Sequence, residues 1–148
     1  ERETAAGVVQ LGVYWTRESW ELARSAYVAD LDADPDSPAV FVRWLVRAIE
    51  QHTVRTPAER AAVGEQMPDQ AAGRGTSRGH RVGQDIIDAI EEAIVADRRE
   101  LGRVVSRSRF VLEAVTAAAG AARERRGRAL PPPPRQLANR PPRPSRRN

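Results

Sequence analysis

The first regular pattern in the chain is an alternation of two kinds of side chain between residues 8 and 15. A repeat of two places successive side chains on opposite faces of an extended backbone, so it predicts a β-strand with one buried face. The predicted buried face consists of Val9, Leu11, Val13 and Trp15, and the other face consists of Val8, Gln10, Gly12 and Tyr14.

Two helices are predicted to follow this strand. Thr16 suits an N-cap because its hydroxyl can accept a hydrogen bond from a first-turn N–H, and Trp15 and Trp20 have the spacing of a hydrophobic staple. We expect this helix to end near residue 30, in an acidic loop. Ser37 and Pro38 then match the N-cap and first position of a second helix. Its predicted buried face, at spacings of three and four, consists of Phe41, Trp44, Leu45, Ala48 and Ile49.

A short third helix and a linker complete the first half of the chain. Thr56, Pro57 and Glu59 form a capping-box pattern for a helix that we expect to end near residue 63. Residues 64–76 are rich in Gly, Gln and Ala and have no helical or strand period, which indicates a linker. The predicted first unit therefore spans residues 8–63.

The second half of the chain has the helical features of a second copy of this unit. A helix is predicted from residue 84 to residue 103, and Ser106 is the predicted N-cap of another helix. When Ser37 is aligned with Ser106, Phe41 falls on Phe110, which favours a tandem repeat. The predicted buried residues are Ile87, Ile90, Ile94 and Leu101 on the first of these helices, and Phe110, Val111, Ala114, Val115 and Ala118 on the second.

The strand of the second copy, residues 77–82, is the least regular element of the repeat. Polar residues occupy two of its three predicted inward positions, and a glycine weakens it further. Either it pairs antiparallel with the first strand, or the second unit, residues 77–122, keeps only its helices as a hairpin used for dimerisation. The predicted inward residues are Arg78, His80 and Val82, and the outward residues are Ser77, Gly79 and Arg81.

Residues 8–52 resemble, over their full length, the ribbon-helix-helix group of DNA-binding proteins, which includes MetJ, Arc and CopG-like proteins. Within the group, the segments PAVFVRWLVRAIEQH and RTPAERA are most similar to the ParB-type plasmid centromere-binding proteins of actinobacteria. The segment VSRSRFVLEAV is similar to the start of the second helix in CopG-like proteins. The resemblance implies a mostly α-helical fold with a short β-ribbon, here in two tandem copies.

The same resemblance implies a function and a set of contacts. Proteins of this group insert a two-stranded antiparallel ribbon into the major groove, so we expect a sequence-specific DNA-binding protein, either a plasmid partition protein or a transcriptional repressor. The implied partners are double-stranded DNA, a second copy of the chain unless the ribbon closes within one chain as a pseudo-dimer, further copies assembled on the DNA, and a ParA-type ATPase. The implied base-contacting residues are Gln10, Gly12, Tyr14, Ser77, Gly79 and Arg81, and the implied phosphate-contacting residues are Ser37, Ser106 and Arg107.

Charge is distributed unevenly along the chain. Residues 121–148 contain nine arginines and one glutamate, a net charge of +8, whereas the whole chain carries +4. The rest of the chain is therefore net acidic. Residues 123–148 are rich in arginine and proline and poor in apolar residues, which predicts a disordered basic tail. Such a tail is either an arm that follows DNA phosphates or a solubilising extension.

Several functional classes lack sequence support. The chain has no cysteine and two histidines without metal-ligand spacing, no phosphate-binding loop and no nucleophile elbow, so we expect neither an enzyme nor a bound metal or cofactor. His52 is expected near a helix C-terminus, where it would interact with the helix dipole. No apolar run is long enough to span a membrane and no secretory signal is visible, so we expect a cytoplasmic, nucleoid- or plasmid-associated protein.

A second hypothesis belongs to a different functional class. In it the strand-helix-helix units only dimerise, and the C-terminal segment binds a partner protein, as antitoxins of this group bind toxins. An amphipathic helix beyond Gly120 would favour this protein-interaction module, whereas the prolines that begin at Pro131 argue against one.

Overall fold

The computed structural model of the chain describes residues 7–67 and 74–137. The described part is mostly α-helical and contains one two-stranded antiparallel sheet. In chain order the elements are β1 (Val8–Thr16), α1 (Arg17–Ala33), α2 (Phe41–Thr53), α3 (Pro57–Gln66), β2 (Gly75–Gly83), α4 (Gln84–Leu101) and α5 (Arg107–Arg126).

The two strands form a ribbon within one chain. They pair antiparallel over their whole lengths, with Val8 opposite Gly83, Gly12 opposite Gly79 at the centre, and Thr16 opposite Gly75. The predicted intramolecular pairing is therefore confirmed, and the alternative in which the second copy lacks its strand is wrong. Each nine-residue strand leads directly into a helix.

The inner face of the ribbon covers the helices. On β1, Leu11, Val13 and Trp15 are each at most 1% exposed, as the alternating pattern predicts. On β2, Val82 is the one apolar residue of the inner face, and it is also buried. The hydrophobic side of the ribbon is therefore supplied mainly by β1.

Two aromatic residues of the first unit accommodate the polar inward positions of β2. The indole N–H of Trp15 donates a hydrogen bond to Nε2 of His80 at 3.0 Å. The guanidinium of Arg78 lies 4.3 Å from the centre of the Trp20 ring, which is a favourable cation–π distance. A strand that looks poor from its own sequence is thus stabilised by partners on β1 and α1.

The helices of the two strand-helix-helix units interlock. α1 of the first unit packs on α5 of the second, and α2 of the first unit packs on both α4 and α5. The hydrophobic core consequently belongs to both units together. Neither unit could bury its apolar face alone, because each supplies the helix on which the other packs.

The predicted helix starts are correct at α1, α3 and α5 and wrong at α2. Thr16 caps α1 through the N–H of Ser19, and Trp15 and Trp20 form the predicted staple with ring centres 5.1 Å apart. α2 begins at Phe41 instead of Pro38, and its N-cap, Val40, makes no side-chain capping bond. The other confirmed caps are Thr56, in a capping box with Glu59, and Ser106, which accepts from the N–H of Arg109.

The shifted start of α2 changes the alignment of the two copies. When the observed N-caps Val40 and Ser106 are matched, Trp44 aligns with Phe110, and Phe41 does not. The buried residues Leu45, Ala48 and Ile49 then align with the buried Val111, Ala114 and Val115. The repeat predicted from the sequence is present in the helices, but the predicted alignment of α2 with α5 is wrong by three residues.

The C-terminal segment is ordered further than predicted. α5 continues through Arg126 and ends at Gly127, whose φ of 74° suits glycine, so the predicted tail boundary at residue 123 is wrong. Beyond α5, the guanidinium of Arg24 donates to the carbonyl oxygen of Pro134, and Leu130 and Leu137 pack against the core. The disorder predicted for residues 138–148 and the middle of the predicted linker, residues 68–73, lie outside the described residues. The rest of the linker prediction is wrong, because α3 extends through Gln66 and β2 already begins at Gly75.

Candidate nucleic-acid interface

The outer face of the ribbon brings together all six residues predicted to contact bases. Gln10 lies opposite Arg81, and all six positions are exposed, whereas Leu11, Val13 and Trp15 at the alternate positions of β1 are buried. The remaining opposed pairs are Gly12 with Gly79 and Tyr14 with Ser77. The ribbon therefore presents one continuous face whose chemistry changes from one end to the other.

The central pair of this outer face consists of two glycines, which have no side chains. A Cβ on Gly12 would meet no atom within 4 Å, whereas a Cβ on Gly79 would overlap the amide of Gln10. The Gln10 side chain thus lies across Gly79. The ring of Tyr14 similarly lies over Gly75, where a Cβ would be 2.8 Å from the ring. A bare backbone at the ribbon centre allows a ligand to approach closely.

The N-terminus of α5 lies beside the outer edge of β1. The hydroxyl of Ser108, in the first turn of α5, accepts a hydrogen bond of 2.9 Å from the backbone N–H of Tyr14. Ser106, the N-cap, accepts from the N–H of Arg109 at 3.0 Å. The positive end of the α5 dipole is therefore fixed at the flank of the ribbon, where a phosphate would be favoured.

The N-terminus of α2 occupies the corresponding place beside β2. Val42, in the first turn of α2, and Arg81 of β2 line the same surface depression, together with the exposed Arg43. α2 has no side-chain cap, so its first-turn N–H groups depend on other acceptors. Two helix N-termini consequently flank the ribbon, one on each side.

The structure does not support Ser37 as a phosphate contact. Its backbone N–H donates to the carbonyl oxygen of Asp34 at 3.0 Å, its side chain is buried, and the helix begins four residues later. The expectation depended on Ser37 beginning the second helix, and the first turn of α2 from Phe41 takes that place. Arg107 is half-exposed at the start of α5, as expected, but its guanidinium is paired with Glu91.

A cluster of buried charged residues was missed by sequence reasoning. It lies where α2, α3, α4 and α5 meet, and every carboxylate in it is fully buried. The signal was present in the sequence, since Asp97 occupies a position on the otherwise apolar face of α4, whereas Leu101, predicted on that face, is 49% exposed. The members of this buried ionic cluster are His52, Arg60, Asp97, Arg103 and Glu113.

Short charge-assisted bonds connect the cluster. Arg60 contacts Oδ1 of Asp97 through Nη2 at 2.8 Å and through Nε at 3.0 Å. Arg103 bridges the two carboxylates, at 3.0 Å from Asp97 and 2.7 Å from Glu113. Arg60 also donates to backbone carbonyl oxygens at the end of α2, including that of His52 at 3.2 Å. The cluster thus joins α2 and α3 to α4 and α5.

His52 takes part in the cluster as a neutral imidazole. Arg55 donates to its Nδ1 at 3.0 Å, and since a guanidinium can only donate, the ring proton lies on Nε2, which contacts Glu113 at 3.1 Å. Burial lowers the pKa of His52 below its usual value of 6.5, although the Glu113 carboxylate opposes this shift. His52 thus lies in the last turn of α2, as predicted, but its ring makes a buried hydrogen bond to Glu113.

The carboxylate of Glu113 remains ionised in this environment. Burial alone would raise its pKa, but hydrogen bonds from His52 and Arg103 outweigh burial and hold the pKa below the usual 4.5. In return, the hydrogen bond to Glu113 raises the pKa of Arg103. The carboxylates and the imidazole of the cluster are all hydrogen-bonded, whereas Nε of Arg103 is buried without a partner among the described residues.

Other kinds of site find little support in the described residues. Within residues 7–67 and 74–137, no group of three or more His, Asp or Glu side chains could hold a metal ion. None of the described helices has both the length and the apolar character needed to cross a membrane. The ribbon face is thus the surface on which the predicted functional residues converge.

Comparison with known proteins adds no relative. No protein-family model, no curated protein and no solved structure matches the chain. The functional interpretation therefore depends on the ribbon, the helix N-termini beside it and the chemistry of their side chains.

Proposed function

We propose that this chain is a sequence-specific DNA-binding protein that places its β-ribbon in the major groove, in the manner of the ribbon-helix-helix group. The observation that carries the proposal is the convergence of the six outward ribbon residues on one exposed face. A two-stranded ribbon is narrow enough to enter the major groove of B-form DNA. The interlocked strand-helix-helix units below it support the same assignment.

The side chains at one end of the ribbon suit direct base readout. Gln10 has an amide that can bond adenine at N6 and N7, and Arg81 has a guanidinium that can bond guanine at O6 and N7. These two residues lie opposite each other and both are exposed. Together they supply hydrogen-bond donors and acceptors for the base edges that form the floor of the major groove.

The helix N-termini beside the ribbon suit the phosphate backbone. The first turns of α2 and α5 lie on opposite sides of the ribbon, near Arg81 and Tyr14 respectively. Helix N-termini attract phosphate through free N–H groups and the dipole. This arrangement would hold both DNA strands while the ribbon contacts the bases between them.

Binding to DNA with and without the selected sequence tests the proposal. A duplex library is first selected on the purified protein, and affinity is then measured for the selected site and a scrambled site. The Arg81→Ala variant should weaken binding to the selected site and affect the scrambled site less. Arg98→Ala is the matched control, because Arg98 is exposed in the last turn of α4, at the end remote from the ribbon. Equal affinity of the parent for both duplexes would contradict the proposal.

Plasmid partition and transcriptional repression are both compatible roles for such a protein. Footprinting on the DNA that flanks its gene locates the site. Recruitment of a ParA-type ATPase to that site would indicate partition, and its absence would indicate repression. The antitoxin-like alternative has less support. Beyond Gly120, α5 does continue to Arg126, but Ala122 is buried within the fold and the exposed residues there are mostly charged.

A further inference from the structure

The two halves of the ribbon occupy equivalent positions but carry different side chains. Rotation about the central Gly12–Gly79 pair would exchange Gln10 with Ser77 and Tyr14 with Arg81. In a symmetric dimer such positions are identical, which is why the operators of dimeric proteins are palindromic. Here both strands belong to one chain, so the protein imposes no such symmetry on its ligand.

The two ends of the ribbon therefore offer different chemistry to DNA. One end carries Gln10 and Arg81, two side chains that can each make two hydrogen bonds to a purine. The other end carries Tyr14 and Ser77, each with a single hydroxyl. Discrimination between bases should be stronger at the first end, since a bidentate contact specifies a base pair more fully than one hydroxyl.

The surroundings of the two ends differ in charge. Beyond Tyr14 and Ser77, a depression of about 260 Å³ is lined by Trp15, Trp20 and three arginines. Beyond Gln10 and Arg81, the ribbon ends at Gly83, where the depression shared with α2 contains two acidic residues, Glu50 and Asp85, beside Arg43 and Arg47. The arginines of the first depression are Arg17, Arg74 and Arg78.

The charged residues strengthen the difference between the ends. Of the three arginines, Arg17 is paired with Glu21 at 3.5 Å, and Arg78 stacks on Trp20 without a carboxylate partner among the described residues. Guanidinium groups of this kind attract phosphate, whereas the Asp85 carboxylate repels it. The side chains suited to reading bases thus lie at the Gln10–Arg81 end, and the arginines without a nearby acidic lining lie at the Tyr14–Ser77 end.

We propose that a single chain recognises a non-palindromic duplex in one fixed orientation, with base discrimination concentrated at the Gln10–Arg81 end. This inference rests on the proposed DNA-binding function and specifies its ligand. The Tyr14–Ser77 end holds the phosphate backbone through the adjoining arginines. The expected ligand is an asymmetric B-form DNA segment contacted by one chain.

Selection from a random duplex library tests the symmetry directly. The expected consensus has no inverted repeat, and its strongest positions lie to one side of the centre and contain guanine and adenine. In binding assays with that site, Arg81→Ala should lower affinity about 5- to 150-fold, the value of one good base contact. Ser77→Ala, its counterpart on the same strand, should change affinity less than about threefold. An inverted-repeat consensus, or equal effects of the two variants, would overturn the inference.

Site-directed DNA cleavage tests the orientation. The chain has no cysteine, so a single introduced cysteine can carry an iron-chelate cleavage reagent without side reactions. Glu18→Cys and Asp85→Cys are a matched pair, because both residues are exposed in the first turn of the helix that follows a strand. The two labels should cut on opposite sides of the selected site, each on one side only. Cleavage on both sides by either label would overturn the fixed orientation.

The outcomes also separate this inference from the function on which it rests. If the parent protein binds no duplex with preference for its sequence, the DNA-reading function fails and the inference fails with it. If the parent prefers one sequence but that sequence is an inverted repeat, the function stands and the inference alone is wrong. An asymmetric site cut on one side by each label supports both.

Discussion

At the scale of single residues, the buried His52 and the half-buried His80 make the protein sensitive to acid. Burial lowers the pKa of both His52 and His80, and Arg78 lowers that of His80 further. The unfolded chain therefore binds more protons than the folded chain as pH falls below about 6.5, and stability falls with it. Glu113, whose pKa is also lowered, adds a further decrease in stability below about pH 4.5. All three groups favour the folded state at neutral pH.

We predict that His52→Gln removes part of this acid sensitivity. Between pH 7.5 and pH 5, the urea midpoint of the parent should fall, and that of the variant should fall less, because one of the two histidines no longer takes up a proton. His80→Gln is the matched comparison and should remove the other part. A parent midpoint that stays constant over this range would contradict the neutral state of both imidazoles.

Phe41 is expected to contribute more to stability than an average core residue. Its ring contacts Trp20 and Tyr27 at centre distances of 5.5 Å and Trp44 at 5.7 Å, so it holds α1 against α2. Phe41→Ala should cost about 3–5 kcal/mol of the roughly 5–15 kcal/mol typical of a small domain. Thermal unfolding measures this destabilisation.

The control for that variant is Val54→Ala, since Val54 is 83% exposed at the end of α2. Its melting temperature should stay within a few degrees of the parent, in line with the small effects of surface substitutions. If the Phe41→Ala variant had the same melting temperature as the parent, the aromatic contacts of α2 would contribute little to stability.

At the scale of elements, the outer face of the ribbon can be changed without changing the hydrophobic core. Gln10→Ala and Tyr14→Ala change only the outer face of β1, so each should alter stability by less than about 0.5 kcal/mol. Gln10→Ala should weaken binding to the selected DNA by roughly 1–3 kcal/mol, the value of one good base contact, and Tyr14→Ala should weaken it less. Chemical unfolding and binding assays on the same preparations measure both effects. Loss of folding in either variant would show that the outer face is also structural.

The elements also show what sequence reasoning could reach. The inner face of β1, the caps Thr16, Thr56 and Ser106, and the apolar faces of the helices all follow from local patterns. The start of α2 does not, although Ser37 and Pro38 match the rules for a helix start. The hydroxyl of Tyr27 donates to the carbonyl oxygen of Ala39 at 2.8 Å, a tertiary contact that holds the segment before Phe41 outside the helix.

The position of Asp97 on an apolar helix face hinted at a buried charge, but the partners within the buried ionic cluster could not be predicted from the sequence, for a related reason. Its members come from four elements and the loop before α5, and no spacing along the chain reveals that Arg60 would meet Asp97 or that His52 would meet Glu113. The outer-face residues were easier to identify, because a strand fixes which side chains share a face. Local periodicity thus predicted which residues share the outer face of the ribbon. Tertiary packing determined which residues meet in the buried ionic cluster.

At the scale of the whole molecule, the basic C-terminal segment can be tested apart from the fold. Leu130 and Leu137 pack on the core, so truncation after Leu137 leaves the described contacts intact and removes four arginines. The affinity of the truncated chain should fall by the same factor for the selected DNA and for the scrambled DNA. The slope of log K against log salt should become shallower by about 0.9 for each phosphate that the shortened chain no longer neutralises. An unchanged slope would indicate a segment that only aids solubility.

The closure of the ribbon within one chain also determines how the protein responds to its own abundance. The free energy that pairs β1 with β2 joins two segments of a single molecule, so it does not depend on protein concentration. A DNA-binding ribbon built from two chains is lost when the dimer dissociates on dilution. When monomers predominate, the occupancy of DNA by such a dimer rises with the square of the protein concentration. This chain forms its ribbon at any dilution. Occupancy by single chains should therefore follow a simple hyperbola, and a twofold change in gene dosage should change it at most twofold.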